Sequence, residues 1–288
     1  MNTATSPSTA NSDSSASTPT STSTSSDSSF SKASLPPNGK KAGLAGGDGF
    51  DSFKEHIGWW YDWNADTEGD HTADGVSYFA MLWGAGTVDD TDASRLSAFK
   101  SLSSAPPYIL GFNEPDLDSS DSGDVVSSGM DAKKAADLWE ELIAPWGEKG
   151  SLLGSPAPAT QGGETWLGDF KDAITTDWDF TAAHIYQSTV EGVQGVIDHY
   201  VSTYSKPVVI TEWGCVDTSS GFTAVTDQSL INSFVQDCVD LFEKDENVMG
   251  YAAIVQGSGL GDVWPLVDSS GALSETGKTY LEAISKYG

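Results

Sequence analysis

Short apolar runs alternate with amphipathic segments along the chain from Lys41 onward. The apolar runs are rich in aromatic and β-branched side chains, which is typical of buried β-strands. They predict eight strands: Ala42–Ala45, Ile57–Tyr61, Tyr78–Trp83, Tyr108–Phe112, Leu152–Pro156, Phe180–Tyr186, Val208–Thr211 and Gly250–Val255.

Apolar residues at helical spacing predict six helices between and after these strands. Aspartate is a favoured first residue because its carboxylate accepts hydrogen bonds from the free N–H groups of the first turn. The predicted helices are Asp92 to about Leu102, Asp131 to about Trp146, Thr165–Thr175, Glu191–Tyr204, Asp227 to about Lys244, and Glu275–Tyr287. The polar segment Asp62–Gly75, between the second and third strands, has no helical pattern.

Eight strands with crossover helices predict an α/β fold, a (β/α)₈ TIM-like barrel in which some early helices are short or missing. An open doubly wound sheet is the alternative, but no Gly-rich phosphate loop follows any of the strands. We assign residues 41–288 to the barrel and residues 1–40 to a separate tail.

The tail is dominated by Ser and Thr, with scattered Pro and Asp. Such a segment buries too little apolar surface to offset chain entropy, so we expect disorder over residues 1–34. The same composition is found in O-glycosylated stalks of secreted proteins and in plain flexible linkers. We expect a secreted or cell-wall-associated protein, although the first residues lack the basic and apolar regions of a signal peptide.

The chain of 288 residues carries 42 acidic and 14 basic side chains, a formal net charge of −28. Nucleic acids and anionic membrane surfaces are bound through basic patches, so we expect neither as a partner. No apolar run reaches the ~18 residues of a membrane-spanning helix. We expect a monomer.

The two cysteines, Cys215 and Cys238, are predicted to be free and mostly buried thiols. Cys238 lies inside the helix that follows the strand near Cys215, roughly 16 Å along its axis at about 1.5 Å per residue. A disulfide needs Cα atoms within about 7 Å of each other.

Two glutamates follow apolar strands directly, at Asn113-Glu114-Pro115 and at Thr211-Glu212-Trp213-Gly214. Catalytic groups of a barrel gather where its strands end, so both carboxylates are expected at one mouth, from opposite sides of the ring. Two convergent carboxylates suit glycosidic bond cleavage, in which one donates a proton and the other attacks or activates water.

These motifs belong to an ordered set at the strand ends: Gly43-Leu44-Ala45, Gly58-Trp59-Trp60-Tyr61-Asp62-Trp63, Ala80-Met81-Leu82-Trp83-Gly84, Leu110-Gly111-Phe112-Asn113-Glu114-Pro115, Gly154-Ser155-Pro156, His184-Ile185-Tyr186 and Thr211-Glu212-Trp213-Gly214. The two glutamate motifs resemble those of clan A retaining glycoside hydrolases. The whole set, from about Lys41 to Tyr287, resembles glycoside hydrolase family 128, which cleaves β-1,3-glucans.

The resemblance implies roles for four residues. Glu114 matches the general acid/base of the family and Glu212 its nucleophile. Asn113 matches the residue that holds the sugar 2-hydroxyl, and Tyr186 matches the position whose hydroxyl orients the nucleophile. The chemistry agrees, because a retaining mechanism needs one carboxyl that keeps its proton and one that is ionised.

Aromatic rings pack against pyranose faces, so Trp residues near strand ends are candidates for a sugar platform. We predict substrate contacts for Trp83 and Trp213 first, then for Trp60 and Trp264. His184 points inward beside Tyr186 and is read either as a cleft residue or as a satisfied interior histidine. Gln256, at the end of the last strand, is a further polar candidate.

No metal site or cofactor is predicted, because glycoside hydrolysis needs none and the histidines lack ligand spacing. The acidic loop of Asp116, Asp118, Asp121 and Asp124 does not match the spacing of an EF-hand, so we read it as solvated.

The sequence therefore predicts a retaining glycoside hydrolase that cleaves laminarin-type β-1,3-glucan by double displacement. Its partners would be β-1,3-glucan or the corresponding oligosaccharides. One alternative is an oligosaccharide-binding protein on the same fold with weak or no turnover. Another is a structural cell-wall protein in which the tail is the working part. Endo or exo action and linear or branched preference are left open.

Overall fold

Ten strands form a curved, mostly parallel β layer in the computed structural model, which describes residues 32–67, 71–117, 127–159, 164–219, 221–256 and 259–288. The strands are β1 Ala42–Ala45, β2 Trp59–Tyr61, β3 Ser77–Tyr78, β4 Ala80–Met81, β5 Tyr108–Leu110, β6 Leu152–Leu153, β7 Thr181–Gln187, β8 Val208–Asp217, β9 Thr223–Ala224 and β10 Val248–Ile254.

Two stretches of this layer join into one closed barrel. The first runs β3-β2-β1-β10-β8-β7 and the second runs β4-β5-β6. At one junction, β3 and β4 are halves of a single barrel strand, and Phe79 between them still donates its N–H to Trp60 at 3.0 Å. At the other junction, Gly154 and Phe180 form a parallel bridge after β6 and before β7. The predicted (β/α)₈ barrel is confirmed, and each of the eight predicted strands coincides with a strand of the barrel.

Helices alternate with the strands through most of the chain. They are α1 Phe50–Phe53, α2 Asp90–Lys100, α3 Ala132–Leu138, α4 Ala144–Gly147, α5 Glu164–Ala173, α6 Val190–Tyr204, α7 Gln228–Lys244 and α8 Glu275–Ile284. A π-helical turn, Trp139–Ile143, joins α3 to α4, so the predicted helix from Asp131 to Trp146 is continuous.

The predicted cap of α2 is wrong, whereas those of α3 and α7 are correct. Asp131 and Asp227 each accept two backbone N–H groups of the following turn. Asp89 caps α2 by accepting from the N–H of Asp92 at 2.7 Å. Asp92 is buried, and its carboxylate accepts from the backbone N–H groups of Thr87 and Val88. Several aspartates lie close together here, so the sequence alone does not distinguish which of them caps the helix.

The early crossovers are reduced, as the sequence predicts. The first consists of the four-residue helix α1, and the described residues between β2 and β3 contain no helix. Without a covering helix, this side of the barrel depends on aromatic packing. Phe79 stacks on Tyr108 with ring centroids 4.2 Å apart and contacts Trp59 at 4.5 Å, which fills the barrel interior.

The final residues of the predicted tail lie against the barrel, and the boundary at residue 40 stays a prediction. The ammonium group of Lys32 is 2.7 Å from a carboxylate oxygen of Asp179, and the Tyr108 hydroxyl donates to the carbonyl of Ser34 at 2.5 Å. Residues 1–31, which hold most of the tail, lie outside the described residues.

Cys215 and Cys238 are both free and buried, as predicted. Burial raises the pKa of the Cys215 thiol to about 11 and that of Cys238 well above its ordinary range. Cys215 lies within β8 rather than beyond it, because that strand continues to Asp217. Of the helices described, none is both long enough and apolar enough to cross a membrane.

Glycine at position 277 is required by a close approach between α8 and the preceding loop. A Cβ at this position would meet the carbonyl oxygen of Leu266 at 2.0 Å, whereas a Cβ at Gly195 in α6 would meet nothing within 4 Å. We expect Gly277→Ala to lower the free energy of unfolding by about 1–3 kcal/mol. The control Gly195→Ala should raise it by about 0.5–1 kcal/mol. Urea unfolding followed by circular dichroism measures both, and equal effects would contradict this account.

Candidate active site

Two carboxylates meet inside the mouth of the barrel. Glu114 follows β5 and Glu212 lies in β8. These two strands are well separated around the barrel. They are 8% and 5% exposed. Oxygens of the two carboxylates and a ring nitrogen of His184 all lie within 4.8 Å of one another. The sequence prediction that these glutamates converge is therefore correct in its geometry.

The backbone at Glu114 is strained in a way that aims its side chain. Its φ of 45° lies in the left-handed region, which is costly for a residue with a Cβ. Hydrogen bonds on both sides hold this conformation. Glu114 donates its N–H to Ala157 at 2.9 Å, and Asn113 donates to Trp83 at 2.9 Å while accepting from Ser128 at 2.9 Å.

Glu212 accepts hydrogen bonds from three aromatic side chains. The Trp63 indole donates to Oε1 at 2.9 Å and the Tyr61 hydroxyl donates to the same oxygen at 3.2 Å. The Tyr186 hydroxyl donates to Oε2 at 2.5 Å. An ionised carboxylate accepts and does not donate, so this donor set suits a negatively charged Glu212. The predicted contact between Tyr186 and this carboxylate is present.

His184 lies between the two glutamates, and its side chain is fully buried. Its Nδ1 is 2.9 Å from Oε1 of Glu114, and its Nε2 is 3.5 Å from Oε1 of Glu212. His184 is therefore an interior residue with the two carboxylates as its neighbours, and its contact with substrate stays a prediction.

Burial and charge shift the proton affinities of this group. Burial raises the pKa of Glu114, against the hydrogen bond and charge of His184, while Glu212 and Asp116 add to the rise. For His184, burial disfavours the cation, but the negative charge of Glu212 and the hydrogen bond to Glu114 raise its pKa overall. Since both values are raised by folding, the stability they contribute is present at low pH and is lost as the pH rises through them.

The two tyrosines are held as hydrogen-bond donors. Burial, followed by the negative charge of Glu212, raises the pKa of both Tyr61 and Tyr186 well above the ordinary range. Both hydroxyls are therefore protonated at neutral pH. The arrangement offers one carboxyl whose pKa is raised and one that is satisfied as an anion, a pairing that suits acid/base and nucleophilic chemistry at a glycosidic bond.

Trp63 reaches Glu212 from the loop that replaces a helix after β2. Its φ is 63°, again in the left-handed region. The Tyr78 hydroxyl ties this loop: it donates to the Asp62 carboxylate and lies 3.0 Å and 2.9 Å from the carbonyls of Asn64 and Asp66. These contacts flank Trp63 on both sides and fix its indole.

Phe222 is an exposed aromatic ring beside the carboxylates that sequence reasoning missed. It precedes β9, which pairs antiparallel with the end of β8, and its side chain is 53% exposed. Its ring centroid is 5.2 Å from that of Tyr186. No strand pattern surrounds Phe222, so only its aromatic character could have suggested a role.

Comparisons with known proteins agree with this geometry. Residues 42–280 match the family described as "Glycosyl hydrolase catalytic core". An oligosaccharide-binding protein of glycoside hydrolase family 128, subgroup VII, from Trichoderma gamsii is 46% identical, with a TM-score of 0.85 over 90% of this chain and 98% of that one. A subgroup VII oligosaccharide-binding protein from Cryptococcus neoformans is 49% identical, with a TM-score of 0.85 over 91% and 100%. This chain belongs to glycoside hydrolase family 128.

Other members of family 128 are similar at a greater distance. An endo-β-1,3-glucanase from Amycolatopsis mediterranei, solved in complex with laminaritriose, is 25% identical, with a TM-score of 0.67 over 85% of this chain and all of that one. "Alkali-sensitive linkage protein 1" of Schizosaccharomyces pombe is 29% identical over 232 residues. That match takes in 78% of this chain and 40% of the relative, so the chain spans less than half of that protein's length.

The tryptophans predicted as a sugar platform are buried in this family 128 barrel. Trp213 packs outward against Phe234 and Phe242 of α7, and against Trp264. Trp264 donates its indole N–H to the carbonyl of Ile254. The predictions for Trp213 and Trp264 are therefore wrong. Side chains alternate along a strand, so a residue next to the inward Glu212 faces the helices.

The predictions for Trp60 and Trp83 are wrong for related reasons. Trp60 is buried against Phe50 and Tyr78, on the opposite face of β2 from Tyr61. Trp83 is also buried, and the guanidinium of Arg95 lies 5.1 Å from its ring centroid. No ring surface of either residue is open to a sugar.

Two predicted polar contacts remain predictions. Asn113 is buried beside Glu114, and Gln256 is exposed two residues after the end of β10. Within the acidic loop, Asp116 accepts from the N–H of Ala159 at 2.8 Å, whereas Asp118, Asp121 and Asp124 lie outside the described residues. Asp116 thereby ties the loop after β5 to the segment after β6.

Glu114, His184 and Glu212 are the group of described residues whose spacing comes nearest to a metal site. Their polar atoms already take part in hydrogen bonds. Nδ1 of His184 pairs with Glu114, and three N–H or O–H groups donate to Glu212. These donors would oppose a cation, so we assign the group no metal role.

The Tyr78 hydroxyl should be required to keep the Trp63 loop in place. We expect Tyr78→Phe to speed amide exchange in residues 62–67 and to lower the free energy of unfolding by about 1–3 kcal/mol, because a carboxylate and two carbonyls lose a partner. Hydrogen exchange read by mass spectrometry, together with urea unfolding, measures both. In the control Tyr287→Phe, an exposed hydroxyl 2.7 Å from Asp240 is lost, so a change within about 0.5 kcal/mol is expected. Unchanged exchange in Tyr78→Phe would rule out this role.

Proposed function

We propose that this family 128 barrel binds β-1,3-gluco-oligosaccharides at its mouth, with weak or no turnover. The observation that carries the proposal is the buried Glu114–His184–Glu212 group beside the exposed ring of Phe222. Carboxylates accept hydrogen bonds from sugar hydroxyls, and an exposed ring packs against the apolar face of a pyranose. The two subgroup VII proteins, nearly half identical over almost their whole length, are described as oligosaccharide-binding.

The choice of ligand follows from the wider family. The Amycolatopsis mediterranei relative was solved with laminaritriose, a β-1,3-linked glucose trimer. The net charge of −28 does not attract a neutral glucan, so recognition has to come from hydroxyl contacts and ring packing. Secretion or cell-wall attachment stays a prediction from the Ser/Thr-rich tail.

Phe222 supplies a direct test of binding at this mouth. We expect laminari-oligosaccharides to bind the full chain in calorimetry, and Phe222→Ser to weaken their affinity about 2- to 10-fold, the value of a lost aromatic contact. Leu230→Ser is the matched control, because Leu230 is a similarly exposed apolar side chain on the first turn of α7. Its affinity should equal that of the wild type. An equal loss in both variants, or no binding at all, would refute the proposal.

Hydrolysis with retention is the second candidate function. The observation that favours it is the approach of the two carboxylates, because one oxygen of each lies within 4.8 Å of the other. Retaining enzymes hold them about 5–5.5 Å apart, whereas inverting enzymes leave about 6.5–9.5 Å for a water molecule. In this reading Glu114 protonates the leaving oxygen, Glu212 attacks the anomeric carbon, and Glu114 then activates the water that releases the sugar.

Any hydrolysis should depend on Glu212 and should retain the anomeric configuration. We expect Glu212→Gln to abolish release of products from laminarin while oligosaccharide affinity stays within a few-fold, because Gln keeps the shape of the side chain but cannot form the glycosyl ester. Chromatography of a time course and NMR of the first anomer released measure these outcomes. Turnover that persists in Glu212→Gln, or an inverted first product, would eliminate the assignment of Glu212 as nucleophile.

A further inference from the structure

The ring of His184 lies between two acids, with Nδ1 hydrogen-bonded to Glu114 and with Nε2 at charge-pair distance from Glu212 but without a hydrogen-bond partner among the described residues. Nδ1 is 2.9 Å from Glu114 and Nε2 is 3.5 Å from Glu212, and the side chain has no exposed surface. Among the residues that the structure describes, His184 is the one basic side chain that pairs with either carboxylate. The protons on this ring therefore determine the charge of the whole group.

The geometry restricts where those protons lie. If only Nδ1 carried a proton, the lone pair of Nε2 would face an oxygen of Glu212 across 3.5 Å, and two ionised carboxylates would remain close together. A proton on Nε2 makes that contact attractive. The 2.9 Å contact of Nδ1 with Glu114 then needs a second proton between those two atoms. The group is satisfied only when Glu114 and His184 together hold two protons.

The remaining neighbours favour placing both protons on the ring. Glu212 and Asp116 add negative charge near His184, and Tyr61 and Tyr186 are protonated donors that direct their hydroxyls to Glu212. A cation between these anions is stabilised at both nitrogens. Burial favours a protonated Glu114 and a neutral ring, whereas the negative charges of Glu212, Glu114 and Asp116 around the ring favour the cation.

We propose that His184 is a positioning residue which, as an imidazolium bridging the two glutamates, holds the proton that Glu114 would need as a general acid. For cleavage, this proton has to pass from Nδ1 to Oε1 of Glu114, leaving a neutral ring, before Glu114 gives it to the glycosidic oxygen. Binding needs no such transfer. The consequence for turnover rests on hydrolysis, the second candidate under the proposed function. The protonation of His184 does not depend on it, so the two are tested separately.

Imidazole ¹⁵N NMR of the full chain tests the protonation without any sugar. Four histidines are present, and the loss of one signal in His184→Asn assigns His184. We expect both of its nitrogens to be protonated at pH 7, and Glu114→Gln to lower its apparent pKa by at least one unit, a tenfold loss of proton affinity. A neutral ring at pH 7, or a titration that Glu114→Gln leaves unchanged, would overturn the proposal.

The pH profile of laminari-oligosaccharide hydrolysis tests the consequence. In His184→Asn, the amide nitrogen takes the place of Nδ1 and can donate to Glu114, but it cannot hold Glu114's proton. We expect hydrolysis at pH 7 to rise several-fold and the alkaline limb of the profile to move to lower pH, because Glu114 then titrates without the more basic ring. Affinity should stay within a few-fold. His56→Asn, which changes a histidine paired with the Gly288 carbonyl, should leave the profile unchanged. A His184→Asn profile like that of the wild type contradicts the proposal. If this variant does not fold, the effect of Glu114→Gln on the His184 NMR titration tests the proposal instead.

Discussion

Holding two buried carboxylates with an oxygen of each within 4.8 Å of the other is the constraint on which the site is built. Like charges at this distance repel strongly away from water, so the surroundings have to supply protons and dipoles. Glu212 receives three hydrogen bonds from aromatic side chains, and the ring of His184 separates it from Glu114. The barrel makes this possible because donors on different strands converge at one end of the ring.

This constraint also explains an irregular part of the fold. A regular crossover helix after β2 would carry the chain away from the mouth, whereas the loop from Asp62 to Asp66 stays beside it and presents Trp63 to Glu212. Holding Trp63 at a positive φ has an energetic cost, which the ties from Tyr78 offset on either side. The absence of a helix among the described residues between β2 and β3 is therefore a feature of the site as much as of the scaffold.

Much of the fold and the centre of the site could be predicted from the sequence, because glutamates at the ends of barrel strands face the same mouth of the barrel. The surrounding contacts were harder to predict. Burial of Trp213 follows from alternation once Glu212 is known to point inward, so this error was avoidable. The roles of Trp63 and Phe222 depend on a left-handed turn and on a hairpin, and neither leaves a periodic pattern.

Binding and cleavage make different demands on the same residues. Binding needs acceptors for sugar hydroxyls, and an ionised Glu114 and Glu212 both supply them. Cleavage needs Glu114 to hold a proton it can release, and a nearby base competes for it. If His184 holds the proton as proposed, a site with both glutamates intact binds without cleaving efficiently, because the resting position of a single proton, rather than the loss of a catalytic side chain, separates the two functions.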